Sequence, residues 1–151
     1  MSELNARILL PGDAASLLAF EKTRLAAQEP DAMAAEMASW SARWRLESLN
    51  HYLPQGWSFA CYRGETLEAY ILAQPFLFYR GHAQTLWVEH LSYISREGAK
   101  LIVDTAHRWA RDKHFQCLLF ENSGDTRFVL EEWKQATTSE VGWIELKSAK
   151  Y

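Results

Sequence analysis

Cysteine is scarce in this chain of 151 residues: Cys61 and Cys117 are the only two, and each sits inside an apolar, strand-like run. Two thiols so placed make no disulfide framework. They read as small core residues, and the cytoplasm is the expected compartment. Long apolar runs are missing as well. Nothing approaches the roughly 20 residues that a membrane-spanning helix needs. The opening MSELNARILLPGD has no cationic segment followed by a sustained apolar one, so no secretory signal is expected. The net charge of −3 supplies no global pull toward nucleic acid or an anionic membrane, and neither is expected as a partner. Repeats, low-complexity segments and linkers are absent too, so residues 1–151 are expected to form a single domain.

Several chemistries are also missing. His51, His82, His90, His107 and His114 show no paired metal-ligand spacing with cysteine or carboxylates, so no metal is expected. No P-loop, dinucleotide fingerprint or Gly-x-Ser-x-Gly elbow occurs.

Aromatics are plentiful, with Trp 7, Tyr 6 and Phe 7, which suits a large core or an exposed contact surface. Ala6 to Leu10 reads as a strand ended by Pro11-Gly12. Asp13 is placed to cap a helix running to about Arg24, and Asp31 to cap the next. In that second helix Met33, Met37, Trp40 and Trp44 recur at steps of four, three and four, an apolar stripe of the kind that serves as core or interface. Trp57 to Tyr62, Thr66 to Tyr79 and Gln84 to Tyr93 are strands joined by short turns, an antiparallel meander. Pro75 lacks an N–H, so a bulge or a lost pairing is expected there.

The most informative stretch is Leu86 to Glu121, LWVEHLSYISREGAKLIVDTAHRWARDKHFQCLLFE. It runs from a strand through Ile94-Ser95-Arg96-Glu97-Gly98 into a helix over about Arg96 to Asp112, then returns as a strand over Phe115 to Glu121. The helix start gathers backbone N–H groups and the positive end of a helix dipole, where an anion sits well. Ser95 suits the N-cap, Gly98 permits close backbone approach, and Arg96 suits phosphate oxygens. The same residues also suit a plainly well-capped helix with Glu97 in its first turn. A short helix over Thr126 to Gln135 and a strand over Val141 to Lys147 complete the order β-α-α-β-β-β-α-β-α-β. That order predicts an α/β (α+β) fold around a mixed, mostly antiparallel sheet flanked by helices.

This order, with the opening strand–Asp–helix and the unit from Tyr93 to Phe120-Glu121-Asn122, resembles the GNAT (Gcn5-related N-acetyltransferase) superfamily across nearly the whole chain. The resemblance implies acyl transfer, acetyl above all, from acetyl-CoA or another acyl-CoA to a small-molecule or protein amine. It implies a cofactor cleft where the fourth strand parts from the fifth, with Leu91, Ser92, Tyr93, Ile94, Ser95, Arg96, Glu97, Gly98, Ala99, Lys100 and Asn122 around it. Of the family loop Gln/Arg-x-x-Gly-x-Gly/Ala, Gly98 and its sequel match the end, while Arg96 stands at the first Gly and Tyr93 at the Gln/Arg. The resemblance makes Glu89 the expected general base, since the superfamily often keeps a glutamate on this strand; alternation puts Glu89 and Tyr93 on one face and His90 with Val88 and Ser92 on the other, so whichever face lines the cleft carries one base candidate, Glu89 or His90. The family's acid tyrosine is replaced by Val129, and Tyr93 is the substitute candidate. A second implication stays open: a silent GNAT-like domain that binds a protein or a small ligand. Exposed tryptophans of the second helix would favour a homodimer.

Overall fold

Alternating apolar residues and two short turns build the centre of the molecule, a long meander. The computed structural model describes residues 3–79, 81–138 and 143–148. Its strands are β1 (Leu4–Ile8), β2 (Phe59–Arg63), β3 (Thr66–Tyr79), β4 (His82–Tyr93), β5 (Cys117–Glu121), β6 (Ala136–Thr138) and β7 (Trp143–Lys147). They form one seven-stranded sheet in the order β1-β2-β3-β4-β5-β7-β6. Every neighbouring pair is antiparallel except β4 and β5. Gly64, at φ 63, allows the tight β2–β3 turn that pairs Arg63 with Thr66.

The helices are α1 (Ala14–Gln28), α2 (Ala32–Ser39), α3 (Leu46–Tyr52), α4 (Arg96–Asp112) and α5 (Gly124–Leu130). The pleat of β3 divides them. Ala69, Ile71 and Ala73 join Ala99, Ile102, Val103, Ala106 and Ala110 of α4 in one core cluster. Tyr70 and Leu72 point the other way, into a second cluster with Leu17 of α1 and Leu49 and Tyr52 of α3. At about 25 cal/mol per Å² of apolar surface buried, these two layers are the main stabilising term. Among the described residues no helix is long and apolar enough to cross a membrane.

Several expectations need correction. The Met/Trp stripe, expected to serve as core or interface, is not one helix face. α2 stops at Ser39, and Met33, Met37 and Trp40 stand 73%, 55% and 65% exposed while Trp44 tucks in at 9%. Pro75 stays in register opposite Leu86; the irregularity falls between Leu72 and Ala73 instead. Asp13 does not cap α1 through its side chain. Its carboxylate takes the Leu10 N–H and the Arg7 guanidinium, which hold it below the usual carboxylate range. Asp31 does cap α2, accepting from the Met33 N–H at 3.1 Å. The helix after Asn122 starts earlier than expected, where Ser123 accepts the Thr126 N–H, and ends at Leu130 rather than Gln135; Ala136–Thr138 beyond it pair with β7. Val141, expected to open the last strand, lies outside the described residues.

Candidate active site

β4 and β5 share three parallel rungs, Thr85 with Cys117, Leu86 with Leu118 and Trp87 with Leu119. Beyond Trp87 they part, while β3 keeps β4 paired to Tyr93 and β7 keeps β5 paired to Glu121. The parting coincides with a bulge. Leu72 pairs with His90 and Ala73 with Val88, so Glu89 is an extra residue with no partner on β3. A bulge bends its strand and shifts the phase of everything after it. Leu86 and Val88 belong to the α4-side core, and Leu91 and Tyr93 pack against the same core. His90 and Ser92 face α1. Strict alternation, which puts Glu89 with Tyr93 and Val88 with His90, is broken by this one residue.

The parted strands leave a cleft of about 310 Å³. β4 lines it from Val88 to Leu91, β5 with Phe120 and Glu121, the α2–α3 connection with Ala42, Arg43 and Trp44, and the start of α5 with Asp125 and Thr126. Arg43 spans its mouth. The guanidinium holds both carboxylate oxygens of Glu121 and donates to the Glu89 carbonyl at 3.4 Å. Those bonds hold Glu121 below the usual carboxylate range. Tyr52 is pushed up to about 12 by burial and, secondarily, by the negative charge of Glu89.

Behind the cleft lies a buried polar cluster. Glu21, 5% exposed, accepts from Ser92 Oγ at 2.5 Å and sits 3.4 Å from His90 Nε2, while Arg24 donates to Ser92 Oγ. Burial works to raise the Glu21 carboxyl, but the bonds to His90 and Ser92 and the charges of His90 and Arg24 hold it below its ordinary value. This cluster fixes the β4 backbone on either side of the Leu91 position.

The α4 start is well capped, and its side chains are engaged within the chain. Ser95 Oγ accepts the Gly98 N–H at 3.0 Å and donates to Glu68 at 2.6 Å. Ile94, its side chain exposed, donates its N–H to the Glu68 carbonyl, and Ala99 donates to the Ser95 carbonyl. Arg96 and Glu97 occupy the first two helical positions, whose N–H groups have no carbonyl a turn back. Gly98 has a packing reason: a Cβ there would stand 2.9 Å from Ser95 Oγ and 3.2 Å from Glu68 Cβ. Arg96 bonds the Phe128 carbonyl and Glu131, Glu97 pairs with Arg63, and Lys100 with Glu132. Asn122 accepts from Arg127. Tyr93 reaches across to α5, its O–H donating to the Asp125 carbonyl at 2.9 Å. Burial raises the Tyr93 phenol, with the Asp125 charge adding to it.

Of the expected residues, then, Glu89 and Leu91 line the cleft, Tyr93 meets it only through its bond to Asp125, the Ser92 side chain turns to Glu21, and Ile94 to Lys100 and Asn122 are not among the residues that line it. Arg43 and Glu121 were missed as site residues, since 78 positions separate them and no spacing joins them.

No protein-family model matches the sequence, and no curated protein does. Solved structures do match. A polyamine N-acetyltransferase of Drosophila melanogaster, described as forming N-acetylagmatine, is 13% identical with a TM-score of 0.62, over 96% of this chain and 98% of that one. The PaiA N-acetyltransferase of Thermoplasma acidophilum, in complex with coenzyme A, is 12% identical with a TM-score of 0.65, over 95% and 97%. A GNAT-family acetyltransferase of Listeria monocytogenes is 10% identical with a TM-score of 0.62, over 97% and 94%. The chain has the GNAT fold. Within that fold, the cleft lies where β4 and β5 diverge beyond the Trp87–Leu119 rung.

Proposed function

We propose that this protein is an acyl-CoA-dependent N-acyltransferase, most simply an N-acetyltransferase, acting on an amine in the cytoplasm. The observation that carries the reading is the parting of β4 from β5 beyond the Trp87–Leu119 rung, with Glu89 in the bulge at the opening. A strand edge released from its neighbour offers backbone N–H and C=O groups to an extended, amide-bearing chain, as an added strand would use them. The Arg96 and Glu97 N–H groups and the α4 dipole suit a diphosphate, with Arg96 exchanging Glu131 for a phosphate oxygen. When bound, the acyl thioester supplies an electrophilic carbonyl and a thiolate leaving group. Glu89 takes the proton that makes the amine nucleophilic. Tyr93, a phenol and so protonated near neutral pH, serves in this reading as the proton donor to the leaving thiolate once it gives up its bond to the Asp125 carbonyl. The carboxylates of Glu89, Glu121 and Asp125 around the cleft favour a cationic amine. Two buried free thiols suit a reducing compartment.

The test is thiol release from acetyl-CoA with a panel of amines that includes polyamines and agmatine. Glu89→Gln should lower kcat by about 10²–10⁴-fold, the usual worth of a general base, with the melting temperature unchanged. Absence of both calorimetric heat and thermal stabilisation with millimolar acetyl-CoA would refute the proposal.

A second reading, a silent domain used for protein interaction, is favoured by the Tyr93–Asp125 and Arg96–Glu131 bonds, which tie the end of β4 and the start of α4 to α5 and the residue after it. It is favoured too by Val129 at the acid position, fully buried, and by exposed Met33, Met37 and Trp40. Turnover lost in Glu89→Gln excludes it.

A further inference from the structure

Three strands bring a nitrogen, a sulfur and an oxygen donor together at the closed end of the β4–β5 ladder. His82 opens β4, Cys117 opens β5 and Glu145 lies in β7; an imidazole nitrogen, the Sγ and a carboxylate oxygen all fall within 4.8 Å of one another. His82 Nε2 is 3.0 Å from Glu145 Oε1. The His82 and Glu145 side chains are 22% and 12% exposed, and Cys117 is fully buried. We propose that these three residues form a zinc site with one coordination position left to water or an exogenous ligand.

The donor set is the argument. Zinc takes thiolate, imidazole and carboxylate ligands, and with bonds near 2.0–2.3 Å a tetrahedral ion holds its ligand atoms about 3.3–3.6 Å apart. The observed spread, from 3.0 Å to a limit of 4.8 Å, brackets that value, so small side-chain rotations seat the ion. One thiolate and one carboxylate balance the two positive charges, which a partly buried site requires. An outer partner is in place too: Thr85 Oγ1 lies 3.3 Å from Cys117 Sγ, in hydrogen-bond contact with the sulfur. Binding forms bonds from the metal to Sγ, an imidazole nitrogen and a carboxylate oxygen, and the Cys117 thiol proton leaves to buffer. The Thr85–Cys117 rung is two before the last one at Trp87–Leu119, so the ion would tie β4, β5 and β7 together just behind the point of divergence. The site stands whether or not the cleft is catalytic.

The experiment is titration of chelator-treated protein with zinc and, separately, with cobalt. The expected result is one ion per chain, a thiolate-to-cobalt charge-transfer band in the near ultraviolet, and a zinc-dependent rise in melting temperature. Cys117→Ser should abolish the band and lower zinc affinity at least 100-fold, while Cys61→Ser, in the α4-side core, leaves both unchanged. Thr85→Val, which keeps all three ligands, should lower affinity by about 10–100-fold. Should Cys117→Ser fail to fold, Glu145→Gln and His82→Ala carry the same expectation of lost stoichiometric binding. Absence of the charge-transfer band in the unmutated protein, or zinc uptake that survives loss of a ligand, overturns the site.

Discussion

Replacing Gly98 with alanine separates two reasons for a glycine at the head of α4. In a helix interior, alanine is favoured over glycine by about 1 kcal/mol. If Gly98 served only to let a ligand near the backbone, Gly98→Ala would therefore stabilise the empty protein by about that amount. The packing predicts the opposite. The new Cβ meets Ser95 Oγ at 2.9 Å, Glu68 Cβ at 3.2 Å and Ala69 Cβ at 3.5 Å. The first contact forces the capping hydroxyl away from the Gly98 N–H and from Glu68, and loss of such a cap costs about 1 kcal/mol. The second pushes α4 off β3, an overpacking cost of about 1–3 kcal/mol. The net expectation is a loss of about 1–3 kcal/mol. Urea unfolding should show it as a midpoint lowered by roughly 1 M at unchanged m, with a melting temperature lower by about 3–10 °C for a chain of this size. In a Ser95→Ala background the cost should shrink, because the closest contact is gone; that non-additivity is the signature of the clash. A midpoint equal to or above that of the unmutated protein would refute the packing argument and return Gly98 to the ligand.

Tyr93→Phe removes the bond to the Asp125 carbonyl, so acetyl-CoA should bind as tightly or more tightly by calorimetry while kcat falls about 10–100-fold, at the low end of what a proton donor contributes; unchanged kcat would remove Tyr93 from the chemistry. Arg43→Ala breaks a half-exposed pair worth about 0–1 kcal/mol, so melting should barely move while KM for a cationic amine falls as Glu121 is released. Glu21 is held below the ordinary carboxyl value near ~4.3, so its contribution to stability is complete above that pH and is lost as pH falls through the lower folded value. Stability curves between pH 6 and pH 3, a range chosen to span about one unit or more either side of that value, should therefore fall more steeply for the unmutated protein than for Glu21→Gln, and parallel curves would count against the pairing with His90 and Ser92.

The elements that local chemistry dictates were legible in the chain. β3 spans Thr66–Tyr79 and α4 spans Arg96–Asp112, both as expected, because turns at Gly64 and the Ser95 cap mark their ends. β6 was not legible. Three residues, Ala136–Thr138, carry no periodicity and become a strand only because β7 offers an edge. The Met33, Met37, Trp40 and Trp44 stripe was read as one helix face serving as core or interface; the spacing says only that a face is apolar, and Ser39 ends the helix before Trp44 turns inward. The candidate site was half legible. Glu89, Leu91 and Tyr93 stood out on a strand that the fold leaves open on one side. Arg43 with Glu121, Glu21 with Ser92, and His82 with Cys117 and Glu145 are joined only by the folded sheet, over separations that no spacing rule reaches.

The bulge at Glu89 explains why reading β4 by alternation fails where it matters. In an unbroken register, a one-residue shift beyond Val88 would turn His90 and Ser92 into the α4-side core, beside Ile71 and Ile102, and turn Leu91 and Tyr93 toward Glu21 and Arg24. Glu21 would then be a buried carboxylate without the Ser92 bond, and two polar side chains would enter an apolar layer unpaired. Each such group costs about 1–3 kcal/mol, a large share of the 5–15 kcal/mol by which a domain is stable. Placing the extra residue at Glu89 removes those costs together and leaves one carboxylate-bearing residue outside both layers, where β5 has already turned away. The same step that lets the two cores close is the one that puts Glu89 at the opening of the cleft.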